Sequence, residues 1–133
     1  MSLLTPTFTR LGAVIGTGAL LAVPASALVA APAHADVERH GACGGGSYEL
    51  SVDREGVGFE VSADLDNVQA GSKWRVVLRH DGKRFFAKTL RADNEGDLDV
   101  ERYRSNTKGK DRFAFRAARA DGSASCSAGL TVS

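Results

Sequence analysis

From Tyr48 to the C-terminus, apolar and polar residues alternate with a period of two. Tyr48, Leu50 and Val52 are separated by Glu49, Ser51 and Asp53, and Val57, Phe59, Val61, Ala63 and Leu65 interleave with Gly58, Glu60, Ser62 and Asp64. Such alternation marks strands that bury one face. Trp74, Val76 and Leu78 share a side against Arg75, Val77 and Arg79. Leu98 and Val100 alternate with Asp97, Asp99 and Glu101; Phe113, Phe115 and Ala117 alternate with Arg112, Ala114 and Arg116. Cys126, Ala128, Leu130 and Val132 form the last apolar side. Asp81-Gly82 predicts a two-residue hairpin turn, because both central residues of a type I′ turn need positive φ. That turn sets Arg79 opposite Arg84, Leu78 opposite Phe85 and Val77 opposite Phe86. Phe85 and Ala87 are then expected inward, with Arg84, Phe86 and Lys88 outward.

Seven short strands with turn signals about every ten residues, and no helical pattern, predict an all-β fold. The expected architecture is a seven-stranded antiparallel sandwich of immunoglobulin or fibronectin type, with a small barrel as the alternative. Residues 48–133 form this domain. Residues 36–47, DVERHGACGGGS, have no apolar period and read as a flexible, Gly-rich lead-in containing Cys43.

Residues 1–35 have a different composition. Arg10 is their only charged residue, Leu11 to Val23 is apolar, Pro24 breaks the run, and Ala33-His34-Ala35 closes it. This is the pattern of a cleaved export signal. Ala25-Ser26-Ala27 is a second candidate cleavage site, and an uncleaved anchor is the rival reading. Glycines and prolines within the segment favour cleavage, which leaves no membrane span. Without Arg10, 16 basic residues balance 16 acidic ones, so any electrostatic role must come from local patches. The two cysteines, Cys43 and Cys126, read as a disulfide in an exported chain. A loop that long is worth about 4 to 5 kcal/mol in the chain-entropy model.

Trp74-Arg75-Val76-Val77-Leu78-Arg79-His80-Asp81-Gly82, Asp97 to Arg102, Asp111 to Ala117 and Cys126 together resemble small exported proteins of high-GC Gram-positive bacteria. The likeness covers nearly all of the chain after the signal. No established activity attaches to that group, so it implies fold and compartment only: a secreted or cell-envelope protein with an immunoglobulin-like sandwich. In size and compartment the chain also resembles secreted chromoprotein carriers of enediyne antibiotics, which have two disulfides where this chain has one pair of cysteines.

Enzyme signatures are scarce. G-x-S-x-G, H-E-x-x-H, P-loop and C-x-x-C motifs do not occur, His80 reads as a solvated turn residue, and no carboxylate pair is set by its spacing for acid–base work. The expectation is a non-enzymatic protein without cofactors. Asp93, Glu95, Asp97 and Asp99 form an oxygen-rich run that makes a weak calcium candidate, although Gly96 is misplaced for an EF-hand loop.

The clearer signal is the sign of the outward charges. A sandwich places the first, second and fifth strands in one sheet, with Glu49, Asp53, Glu60, Asp64, Asp97, Asp99 and Glu101 outward. The other sheet presents Arg75, Arg79, Arg84, Lys88, Arg112 and Arg116, with Val77 and Phe86 between them. Like charges directly opposite each other disfavour pairing, and folding alone gives no reason to place them so. Against this, charged edges deter aggregation and Arg stems cover apolar surface. The basic–aromatic face is the candidate binding surface, for an anionic cell-wall polymer, a glycan or an acidic protein. Head-to-tail self-association, as in a structural envelope protein, is the second reading, and a small-ligand carrier the third. Net neutrality and the acidic face disfavour nucleic acid.

Overall fold

The computed structural model describes residues 37–133; the export signal expected over residues 1–35 lies outside them. Eight antiparallel strands follow one another: β1 (Val37–Cys43), β2 (Gly46–Glu55), β3 (Gly58–Asp66), β4 (Lys73–His80), β5 (Lys83–Arg91), β6 (Leu98–Ser105), β7 (Asp111–Arg119) and β8 (Ser125–Val132). They form two four-stranded sheets, ordered β1-β2-β3-β6 and β5-β4-β7-β8. No helix of the described residues is long and apolar enough to cross a membrane.

The strands fall into the two groups expected of a sandwich, with one strand added to the first. Residues 37–43 are not a flexible lead-in: all seven pair with β2, from Val37 opposite Val52 to Cys43 opposite Gly46. This strand hides from a periodicity search because it is an edge strand, with Arg39 and Gly41 at the positions in phase with Val37 and Cys43. Val57 is also displaced from the expected strand. It sits at the tip of the β2–β3 hairpin, 83% exposed.

One core joins both sheets. Leu50, Val52, Phe59, Val61 and Leu65 from the first meet Trp74, Val76, Leu78, Phe113 and Phe115 from the second. Phe59 and Phe113 pack edge to face across the interface, ring centroids 5.4 Å apart. Burying each such side chain is worth about 1.5 to 3 kcal/mol. Trp74 is fully buried, and its indole N–H donates to the Ser72 hydroxyl at 2.9 Å. Its ring lies where a Cβ on Gly44 would fall, so only glycine fits beside it at that positive φ. Next to Gly44, Cys43 is bonded to Cys126, Cα atoms 5.4 Å apart, which ties β1 of one sheet to β8 of the other.

The β4–β5 hairpin begins as expected and then slips. Asp81 (φ 51°) and Gly82 (φ 82°) make the positive-φ turn, His80 pairs Lys83, and Arg79 pairs Arg84. A β-bulge between Leu78 and Arg79 then shifts the register, so that Leu78 faces Phe86 and Val77 faces Ala87. The extra residue reverses the inward set beyond it. Phe86 is the buried ring, 7% exposed, and Phe85 packs partly exposed beside the core.

Candidate functional site

Alternation and register together fix what each outer face carries. On the second sheet, β4 puts Lys73, Arg75 and Arg79 outward and β7 puts Arg112 and Arg116 outward, while edge strand β5 adds Arg84 opposite Arg79 and Arg91 opposite Lys73. All seven are exposed. Small residues separate them: Val77 lies beside Arg116, Ala118 beside Arg75, Ala114 beside Arg79, and β8 contributes Ser125, Ser127, Gly129 and Thr131. The guanidinium groups of Arg75, Arg79, Arg84 and Arg116 meet no hydrogen-bond or ion-pair partner among the described residues. Arg112 and Thr131 line two adjoining surface depressions of about 410 and 480 Å³; Arg39 borders the first and Lys110 the second.

Of the residues expected on this face, Arg75, Arg79, Arg84, Arg112 and Arg116 come together there. Phe86 and Lys88 do not. The bulge turns Phe86 into the core and sets Lys88 opposite inward-facing Val76, at the open side between β5 and β6. Arg102 stacks over the Phe86 ring at 4.7 Å there, and Arg104 over Phe85 at 4.6 Å, so cations from β6 cover both rings. The surface is therefore basic with small spacers, not basic and aromatic. Lys73 and Arg91 join it instead; Lys73 has the same parity as Arg75 and was legible on that ground.

The outer face of the first sheet is acidic. Glu38 on β1, Glu49 and Asp53 on β2, Glu60 and Asp64 on β3, and Asp99 and Glu101 on β6 share that side, with Asp64 flanked by Glu49 and Asp99 in neighbouring strands. His40 is the base among them, 3.2 Å from Glu38 and 3.5 Å from Glu49. Repulsion leaves its mark on the carboxyls. Burial, then the charges of Asp99, Glu49, Asp66 and Glu101, push Asp64 up to about 6. A hydrogen bond to Glu101 and that residue's charge raise Glu60 above the usual range. Tyr103, beside Glu60 on the same side, is 51% exposed.

The calcium candidate does not assemble. Asp93 Oδ1 accepts the backbone N–H groups of Glu95 and Asp97, at 2.8 and 2.9 Å, and these bonds hold its carboxyl below the usual range. Asp97 Oδ1 accepts from Asn67 N at 3.2 Å, and Asp99 belongs to the acidic face. These carboxylates tie turns rather than converge.

A cluster that the turn reading of His80 misses lies at one end of the sandwich. His80 is 4% exposed, stacked on Phe113 at 4.3 Å, and its Nε2 lies 2.6 Å from Oδ1 of Asp111, itself 1% exposed. Asp111 also accepts from Thr107 N and Oγ1, while Asp81 accepts from Arg112 N at 2.8 Å. The Arg112 N–H is the main reason the Asp81 carboxyl sits below its usual range, with the Thr107 hydroxyl assisting. His80, Asp81 and Asp111 bring one donor atom each within 4.8 Å of one another, a metal-like grouping. The second ring nitrogen argues otherwise. Arg104 Nε can only donate, and it donates to His80 Nδ1 at 3.3 Å, so the proton sits on Nε2, aimed at Asp111. A metal on Nε2 needs the opposite tautomer. The cluster clamps the β4–β5 turn to the β6–β7 loop.

No protein-family model, curated protein or solved structure matches the chain.

Proposed function

We propose that this is a secreted, disulfide-closed, immunoglobulin-like binding module that recognises an anionic partner through the arginine face of β4, β5 and β7. The strand orders β2-β3-β6 and β5-β4-β7-β8 support the immunoglobulin or fibronectin-type reading. The Cys43–Cys126 disulfide and the export-signal pattern support secretion. The reading also agrees with the resemblance to exported proteins of high-GC Gram-positive bacteria.

The observation that carries it is the unpaired, single-sign display of Arg75, Arg79, Arg84 and Arg116. Guanidinium groups hold carboxylate, sulfate or phosphate in a planar fork, and an extended anionic polymer in the envelope fits a flat, repetitive array of them. In this reading the module acts by binding rather than by a chemical step, and needs no cofactor. Changing Arg79→Glu together with Arg84→Glu is expected to abolish low-salt retention on phosphocellulose without lowering the melting temperature, because one like-charge pair replaces another and neither guanidinium has a partner to lose among the described residues. Retention equal to that of the wild type would overturn the reading.

A further inference from the structure

A foreign polyanion accounts for one face and leaves the other unexplained. Among the described residues, the side carrying Glu49, Asp53, Glu60, Asp64, Asp99 and Glu101 is as consistent in sign as the arginine face. A neutral domain with opposite signs on its two outer faces complements itself. The charges also share a repeat. On the central strands of the basic sheet, Arg75 and Arg79 are four residues apart, as are Arg112 and Arg116; on the central strands of the acidic sheet, so are Glu49 and Asp53, and Glu60 and Asp64. Four residues of strand span about 13 Å, and neighbouring strands lie about 4.8 Å apart. Both faces thus repeat charge at the same interval along the strands, the carboxylates aligned across β2 and β3 with Glu49 opposite Asp64, and the arginines staggered across β4 and β7 with Arg116 opposite Val77. Tyr103 adds an exposed ring among the carboxylates on which a guanidinium can stack.

We infer that the acidic outer face of β2, β3 and β6 receives the arginine face of β4 and β7 of a second copy of this chain. The inference rests on the arginine face being a recognition surface and names its partner. The contact is heterologous: each copy keeps one free basic and one free acidic face, so association continues head to tail rather than stopping at a dimer. Ser51 and Ser62, in the row between the four central carboxylates, keep the middle of the receiving face low enough for Arg side chains to lie across it.

Sedimentation velocity of the oxidised protein, with no partner added, tests this. At low ionic strength the weight-average mass is expected to at least double as concentration rises, and to return to the monomer at high salt. Two variants make the test specific. Arg75→Glu with Arg116→Glu disrupts the centre of the basic face and leaves the acidic face intact; Glu49→Lys with Asp99→Lys does the converse. Each alone is expected to sediment as a monomer, and an equimolar mixture to associate. A wild type that stays monomeric at low salt, or folded variants whose mixture stays monomeric, overturns the inference. Phosphocellulose retention separates this failure from failure of the binding reading. A monomeric protein still retained through Arg79 and Arg84 loses only the self-contact, and one neither retained nor associating loses both.

Discussion

Asp64 sits where burial and four neighbouring carboxylates oppose its ionisation. Its folded carboxyl binds a proton more tightly than the unfolded one, pushed up to about 6 from an ordinary value of 3.8. The stability from this site is therefore fully present at low pH and is lost as pH rises through about 6. Asp64→Asn is expected to raise stability at pH 7.5 by roughly 1 kcal/mol after allowance for solvent screening, and to have little effect at about pH 3, below the unfolded value. Urea unfolding of both proteins at the two pH values checks this. The His80–Asp111 pair behaves differently, because each partner is buried against the other. His80→Ala strands the Asp111 carboxylate and is expected to cost about 3 to 5 kcal/mol in the same measurement. Both residues were legible by phase: His80 continues Trp74, Val76 and Leu78, and Asp111 precedes Phe113 and Phe115 at inward positions. Their pairing was not, because 31 residues separate them.

Among the elements, β5 shows how far a local pattern carries. Its sequence, Lys83-Arg84-Phe85-Phe86-Ala87-Lys88, has two adjacent aromatics and so offers both phases. The turn sets the register as far as Arg79 opposite Arg84, and the bulge then buries Phe86. Phe86→Ala is expected to cost about 3 to 5 kcal/mol, as for a truncated core ring. Phe85→Ala, with its partly exposed ring, is expected to cost about 1 kcal/mol. Comparing their denaturant midpoints tests the assignment, since the unshifted register reverses the order. β1 is the other lesson. Only Val37 and Cys43 at its ends carry apolar side chains into the structure, and its partner and the disulfide hold it in place.

At the scale of the molecule, one covalent link joins the first strand to the last. Breaking Cys43–Cys126, by reduction or by Cys43→Ala with Cys126→Ala, is expected to lower stability by about 2 to 5 kcal/mol and to move the unfolding midpoint accordingly. With that link intact, the domain is a slab, basic on one side and acidic on the other. Its association and its retention by polyanions are accordingly both expected to weaken with salt.

Alternating hydrophobicity was enough to set an all-β chain, most strand positions, the Asp81-Gly82 turn and the sign of each outer face. These follow from period-two geometry and turn chemistry, which act over a few residues. The cysteine count also pointed to the disulfide. Tertiary structure alone decided that residues 37–43 form an eighth strand, that Phe86 rather than Phe85 enters the core, and that His80 meets Asp111. Each depends on which distant backbone or side chain is opposite, through hydrogen bonding and packing between segments whose spacing in sequence carries no record of the contact.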